Sequence, residues 1–386
     1  MAWMTSDEAL AALGVQPQTL YANVSRGRVR AKPDPRDARR SLYNGEDIKR
    51  MAARHAGRRA SASIAAAAIG WGDPVLPSSI STIADGRLWY RGHDAIALSS
   101  RQGLEEVAGL LWQCEPIQFQ RRETPTLDLD RNESALETAL IVLSRQAAHS
   151  PPCLGRTRAV LLTEAAELVN GIAIAMLGSA KRPKDPLHRR LATAWRAPEA
   201  EDILRRALVL LADHELNAST FASRIAASTG ASLSACLLAG LATLAGPLHG
   251  GAAAEVRRRA AMAKQIGADR AVRDWLAEGR SLPGFGHPLY PEGDPRAQAL
   301  LAHFKSRSVL SDLGRAAEAL TGEQPNIDFA ISAITDAFDL PPSAPLILFA
   351  IARSVGWIAH CLEQQTTGTL IRPRARYVGP PVVRQR

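Results

Sequence analysis

Long apolar runs are the first thing this sequence lacks. No stretch reaches the roughly 20 uninterrupted apolar residues that a membrane span needs. The segment "PLILFAIARSVGWIAHCL" comes closest, and Arg353 interrupts it. The first residues do not run basic and then apolar, as a secretory signal does. Only four cysteines are present, Cys114, Cys153, Cys236 and Cys361, without the close spacing of a metal site. Free buried thiols in a reducing compartment are therefore expected, and the location is read as cytoplasmic. Aromatic residues make up only 5% of the chain while alanine is abundant. That balance favours close-packed helices over sheet sandwiches, and no internal repeat or long strand alternation argues otherwise.

What is present is enough chain, at 386 residues, for two or three domains with a substantial core. A hydrophobic share of 46% and a charged share of 22% are ordinary for a globular protein. The net charge of +9 is unevenly spread, with twelve Lys/Arg against six Asp/Glu in residues 1–60. An excess of that kind points to an anionic partner for the N-terminal part.

The N-terminal part begins "TSDEALAALGVQPQTLYANVSRGRVR". Thr5 or Ser6 can cap a helix with Ala9, Leu10 and Leu13 on its apolar face, and Gly14 ends it. A second short helix through Leu20 and Val24 is expected to stop at Gly27. An Arg-rich turn, a short strand around Leu42–Tyr43 and a third helix from about Asp47 follow. This order is similar to the small winged helix-turn-helix domains of the MerR and excisionase type, and is expected over residues 1–58. That resemblance implies a second helix in the major groove of DNA, with Arg26, Arg28, Arg30, Arg39 and Arg40 on phosphates. A solvated basic face on a helical docking or oligomerisation module is the competing reading. Residues 59–78, rich in Ser, Ala and Gly, read as a linker. From 79 to 386 a hairpin-like opening, "STIADGRLWYRGHD", leads into helix after helix; Leu204, Leu208 and Leu211 show the helical spacing. The fold class expected is all-α.

Four segments of this second part could carry chemistry. "GFGHPLYPEGDPRA" (284–297) holds His287 in a Gly/Pro frame, with Arg296 nine residues on. "ADHELNAST" holds His214, "GPLHGGA" holds His249, and "PNIDFA" holds Asp328. Each alone has a bland reading: a loop or helix histidine, a loop-to-helix junction, a helix cap. Arg353 is more demanding. It lies one helical turn from both Phe349 and Trp357 on an apolar stripe, and no acidic residue lies within eight positions. A guanidinium there needs a partner, either an anionic ligand or a structural carboxylate from far along the chain.

Together, and in order, these segments resemble the citrate synthase family, from "DGRLWYRGHD" through "FAIARSVGWIAH" to "LIRPRARYVGP". The resemblance implies a large helical domain and a smaller mobile one, about 252–339, that closes over the substrates. It implies condensation of acetyl-CoA or propionyl-CoA with oxaloacetate to citrate or 2-methylcitrate, the acyl-CoA being a co-substrate and no cofactor being permanently bound. Carried over by motif, Asp328 is the base, His249 donates to the thioester oxygen, and His287 polarises the oxaloacetate ketone. Because His249 precedes a helix, its N-terminal dipole is expected to keep the imidazole neutral. Arg296, Arg353 and Arg372, with His214, match the family's oxaloacetate ligands; Arg372 would serve the neighbouring subunit, which implies a homodimer.

The chain also departs from that family. Many bacterial relatives read "GHRVYK" where this chain has "GHPLYP", so Pro288 and Pro291 stand where basic residues approach the coenzyme A phosphates. Glu323 and Gln324 occupy a stretch that often holds lysine, and Leu211 replaces a frequent histidine. Arg257, Arg258 and Arg259 are available to compensate, or form a solvated helix face. The alternative function is a non-enzymatic DNA-binding regulator whose helical domain senses a dicarboxylate or acyl-CoA.

Overall fold

In the computed structural model the chain divides into two compact units, Met1–Pro77 and Ser78–Arg386. The structure describes residues 3–13, 20, 24, 29–35, 37–49, 76–119, 134–178, 184–278, 282–375 and 377–380.

In the first unit, Thr5 and Glu8 cap the helix Ser6–Leu13 reciprocally. Thr5 N donates to Glu8 Oε2 at 2.8 Å, and Glu8 N donates to Thr5 Oγ1 at 3.4 Å. Three antiparallel strands form a sheet in the order Trp3–Met4, Asp37–Asn44, Ala31–Asp34. Leu42 and Tyr43 lie on the central strand, and Asn44 Oδ1 caps the helical residues that follow by accepting from Glu46 N and Asp47 N. Ala9, Leu13, Leu20, Val29, Tyr43 and Ile48 form a small buried cluster. The expected second helix, with Arg26 and Arg28, lies mostly outside the described residues, as do the side chain of Arg39 and most of the 59–78 stretch. Arg30 commits its fork to Asp47 instead, with Nε to Oδ2 at 2.8 Å and Nη2 to Oδ1 at 3.1 Å. Arg40 is exposed and 3.4 Å from Asp37.

The second unit opens with the strands Ser81–Ala84, Arg87–Tyr90 and His93–Asp94, paired in sequence order. The turns Asp85–Gly86 and Arg91–Gly92 all take positive φ, the geometry a two-residue hairpin favours. The all-α expectation is corrected to this extent: the chain is mostly helical, with two small antiparallel sheets. Asp94 then caps the helix Ala95–Arg101 through Ile96 N and Ala97 N.

The helix Ala344–Thr367 is the axis of the main core, buried almost continuously from Ala344 to Leu362. Around it pack the helices Ala218–Ser228, Leu233–Leu244, Arg158–Leu177, Glu201–Leu211 and Leu104–Trp112. Leu204, Leu208 and Leu211 face this core, fully buried. Both Ala344–Thr367 and Arg158–Leu177 are long and apolar enough to cross a membrane. Their apolar windows are 89% and 61% buried inside the unit, so both read as core helices.

A second core gathers Val256, Val272, Trp275, Phe285, Leu313 and Phe329. Its helices are Ala252–Ile266, Ala268–Ala277, Ser308–Thr321 and Ile327–Ala337. Ile327–Ala337 is a wall common to both cores: Phe329 and Ala333 face the second, Ile327, Ala330, Ile331 and Ile334 the first. Asp328 stands in its first turn.

Candidate active site

The Gly/Pro frame of the 284–297 stretch folds back on the segment before Ile327–Ala337. Gly286 N donates to Gln324 O at 2.9 Å, and Asn326 N donates to Gly284 O at 2.8 Å. Asn326 Nδ2 adds a bond to Gly286 O, also at 2.9 Å. The other end of the Asn326 amide caps the helix, with Oδ1 accepting from Asp328 N at 3.0 Å. His287 and Asp328 are therefore mounted on the two sides of one short bridge. Gly284 and Gly286 hold φ of +82° and +64°, which a side chain rarely adopts.

Leu289 N donates to His287 Nδ1 at 3.2 Å, so the neutral ring carries its proton on Nε2. Burial, then the charge of Arg296, lowers the His287 pKa to about 4 despite the opposing pull of Asp294. His214 meets the His287 ring edge-on at 5.1 Å and shares a 3.0 Å hydrogen bond between Nε2 and Tyr290 Oη. Burial and the nearby cations Arg296 and Arg353 hold His214 well below its ordinary range.

Arg296 is 2% exposed and doubly bonded to Asp294, with Nε to Oδ1 at 3.0 Å and Nη2 to Oδ2 at 2.8 Å. Burial works against its charge, and Asp294 more than offsets that. Asp294 Oδ2 also accepts from Ile327 N at 3.0 Å, tying Arg296 to the base of the Asp328 helix. Asp328 is only partly buried as a residue, yet packing around its carboxyl raises its pKa to about 6, with Arg296 and Arg353 pulling the other way. Arg353, 3% exposed, donates Nε to Leu211 O at 2.9 Å and makes no ion pair among the described residues.

His249 lies in the turn before Ala252–Ile266. Ser332 Oγ, one turn beyond Asp328, donates to Ala253 O in the first turn of that helix, which draws the two segments together. His249 Nε2 is 2.8 Å from Ser219 Oγ. That hydroxyl also receives Trp357 Nε1–H at 3.2 Å and faces Asn217 Oδ1 at 2.8 Å. It has one proton to give: donated to Asn217 Oδ1 it leaves His249 to donate from Nε2, and turned instead to His249 Nε2 it goes with the imidazole proton on Nδ1. The His249 pKa falls to about 4, in the direction the neutral reading requires, through burial and then the charge of Arg353.

The structure thus gathers His214, His249, His287, Arg296, Asp328 and Arg353. Arg372 is not among them: it is exposed on the extended stretch after Thr367 and makes no hydrogen bond or ion pair among the described residues. Tyr290, Asp294, Ser219 and Asn326 were not singled out from the sequence. Asp294 and Asn326 carry the mark of helix caps, an Asx residue before Pro or an apolar run, which could have found them. Near the bridge, the Glu323 carboxylate closes on Gly286, where a Cβ would lie 2.9 Å from Glu323 Cδ. Arg258 pairs with Glu255, and Arg259 lies between Glu255 and Glu278 with its guanidinium 3.4 Å from the Trp275 ring centre. Arg257 has no such partner among the described residues.

Comparison with known proteins identifies the family and the fold. The family model "Citrate synthase, C-terminal domain" matches residues 134–374, which span all of these side chains. Citrate synthase 2 of Bacillus subtilis is 30% identical over 353 residues, covering 78% of this chain and 93% of that protein. Citrate synthase of Thermotoga maritima superposes with a TM-score of 0.66 at 27% identity, over 81% of this chain and 96% of the other. The Thermoplasma acidophilum citrate synthase, a ternary complex with carboxymethyl coenzyme A and oxaloacetate, shares the fold at a TM-score of 0.68 and 24% identity, over 81% and 96% of the two chains. On the extent of these matches, the chain belongs to the citrate synthase family.

Proposed function

We propose that this citrate synthase-type enzyme condenses acetyl-CoA with oxaloacetate and water, giving citrate and free coenzyme A. Enzymes of the family take acetyl-CoA as a co-substrate and need no permanently bound cofactor. Asp328 as carboxylate removes a proton from the thioester methyl group, while His249, in the tautomer set when Ser219 turns its hydroxyl to Nε2, donates from Nδ1 to the oxygen that becomes enol-like. The new carbon–carbon bond forms at the ketone carbon of oxaloacetate. His287 polarises the ketone oxygen through Nε2–H and finally protonates it. Water then cleaves the thioester. Arg353 and His214, with Arg296 through the Nη1 that Asp294 leaves open, hold the substrate carboxylates, and Arg372 completes the site of a second subunit in a homodimer. Four free cysteines fit a cytoplasmic location.

The observation that carries this reading is the backbone bridge that mounts both a carboxyl with a pKa near 6 and a neutral imidazole with an assigned donor proton. Release of thiol from acetyl-CoA and from propionyl-CoA, with and without oxaloacetate, tests it. One methyl group changes binding by only about 1–3 kcal/mol, so 2-methylcitrate formation is an outcome of the same assay. No oxaloacetate-dependent release from either thioester rejects the enzymatic reading.

The charge excess of residues 1–60 supports a second role, in which the N-terminal unit binds DNA or other nucleic acid. Duplex binding that weakens with rising salt is the expected result. Absence of binding even at low salt removes this role and leaves a docking or oligomerisation module.

A further inference from the structure

The three residues before His214 run along one face of the Ala344–Thr367 helix like rungs. Leu211 O accepts from Arg353 Nε at 2.9 Å, and Ala212 O accepts from Gly356 N at 3.1 Å. Asp213 Oδ2 is 3.3 Å from His360 Nε2. Positions 353, 356 and 360 fall on one side of a helix. The approach depends on glycine: a Cβ at 356 would lie 2.4 Å from both Ala212 O and Asp213 Oδ1. The same rungs therefore set Arg353 and the start of His214.

The third rung is a buried carboxylate with an unusual set of partners. Asp213 and His360 are both fully buried. Ser81 Oγ donates to Asp213 Oδ2. Arg224 Nη1, which can only donate, faces His360 Nδ1 at 3.3 Å, so the ring proton is on Nε2 and points at Asp213. Arg224 has its own counter-ion in Glu363, 2.9 Å away. Asp213 Oδ1 accepts no hydrogen bond among the described residues. Among the described residues no arginine or lysine pairs with Asp213 directly; burial pushes its pKa up, and His360 first and then the buried guanidinium of Arg353 more than offset that.

The contrast with Arg296 gives this arrangement a purpose. Asp294 occupies the fork of Arg296 directly. Arg353 has only its Nε engaged, so its two terminal nitrogens lack a partner among the described residues. We infer that Asp213 is a positioning residue for Arg353: held on the neighbouring rung, it balances the buried guanidinium without filling its fork, leaving that fork to a substrate carboxylate. The inference rests on the oxaloacetate-binding role given to Arg353 above.

Calorimetric titration of the full chain with oxaloacetate, without thioester, tests it together with steady-state kinetics. Asp213→Asn is expected to weaken oxaloacetate binding about tenfold or more and to raise its KM alike. The KM for acetyl-CoA is expected to change little, and kcat to fall less than the oxaloacetate KM rises. Removing a buried counter-charge also lowers the melting temperature, and Arg353→Met in the Asp213→Asn background restores it, because the unbalanced charge is gone. A purely structural Asp213 gives the same melting loss in both backgrounds and unchanged oxaloacetate affinity, which overturns the inference. Should Asp213→Asn fail to fold, the double variant decides: folding once Arg353 is neutral supports the inference, and failure there too rejects it. A wild-type chain that binds no oxaloacetate sinks the substrate reading and this inference together. Equal binding by wild type and Asp213→Asn sinks the inference alone.

Discussion

Asp328, His249 and His287 depart from their ordinary pKa values in opposite senses, and each direction suits its proposed task. A carboxyl at about 6 is ionised at neutral pH yet basic enough to take a proton. Imidazoles near 4 stay neutral and can donate without carrying charge. Oxaloacetate-dependent turnover is therefore expected to rise with pH along a limb centred near 6. Asp328→Asn should lower kcat about 10²–10⁴-fold while leaving oxaloacetate affinity within a few-fold; an equal loss of both would assign Asp328 to binding instead. The same shifts act on stability with opposite signs. The folded chain holds the Asp328 proton more tightly than the unfolded chain, so this group's contribution is lost as pH rises from about 4 through about 6. The histidines bind protons less tightly when folded, so theirs is lost as pH falls from about 6.5 through about 4. Asp328→Asn should then be more stable than wild type by about 1–2 kcal/mol at pH 7, a figure discounted for partial exposure, with the gap closing towards pH 4. Denaturant melts at several pH values measure both trends.

The elements that hold these residues differ in how far the sequence reveals them. The turns at Asp85–Gly86 and Arg91–Gly92, the apolar spacing of Leu204, Leu208 and Leu211, and the frame around His287 are local, and each was legible from a few contiguous residues. The strands are only two to four residues long in the second unit, too short for alternation to stand out, so the small sheet was underestimated. The rungs between Leu211–Asp213 and Ala344–Thr367 join residues 142 and 147 positions apart, a separation at which no periodicity speaks. The burial that lowers the His249 pKa is likewise a property of the assembled cores and is not visible in the sequence. The 284–286 bridge combines both kinds of information. Its glycines were visible, but their contact with 324–326 was not. Gly284→Ala would strain a φ of +82° and set a Cβ 2.4 Å from Val256 Cγ2. It should destabilise the fold by about 1–3 kcal/mol and lower kcat more than it raises the oxaloacetate KM, since His287 and Asp328 shift relative to each other. Thermal melts and steady-state kinetics on the one variant separate the two effects. A normal kcat in a destabilised protein would show that the bridge serves the fold and not the reaction.

At the scale of the whole molecule, one residue of the proposed site stays outside it within a single chain. Arg372 is exposed, and the same C-terminal stretch leaves Leu370, Tyr377 and Val378 exposed as well, at 60%, 68% and 84%. Apolar side chains around an unpaired guanidinium suit a segment covered by another copy, where the charge meets a carboxylate and the apolar groups leave water. In a two-fold dimer each site would then draw Asp328 from one chain and Arg372 from the other. That geometry makes a sharp statement about mixed dimers. A chain with Asp328→Asn and a chain with Arg372→Ala each form homodimers in which both sites are impaired. When the two are co-expressed with different tags and the doubly tagged heterodimer is isolated, one site receives both substitutions and the other receives neither. The heterodimer should recover about half the wild-type activity per dimer, although neither parent is active. If Arg372 works within its own chain, every site in the heterodimer carries one substitution and no activity returns. Oxaloacetate-dependent thiol release from the purified heterodimer, compared with both parents, decides between the two arrangements.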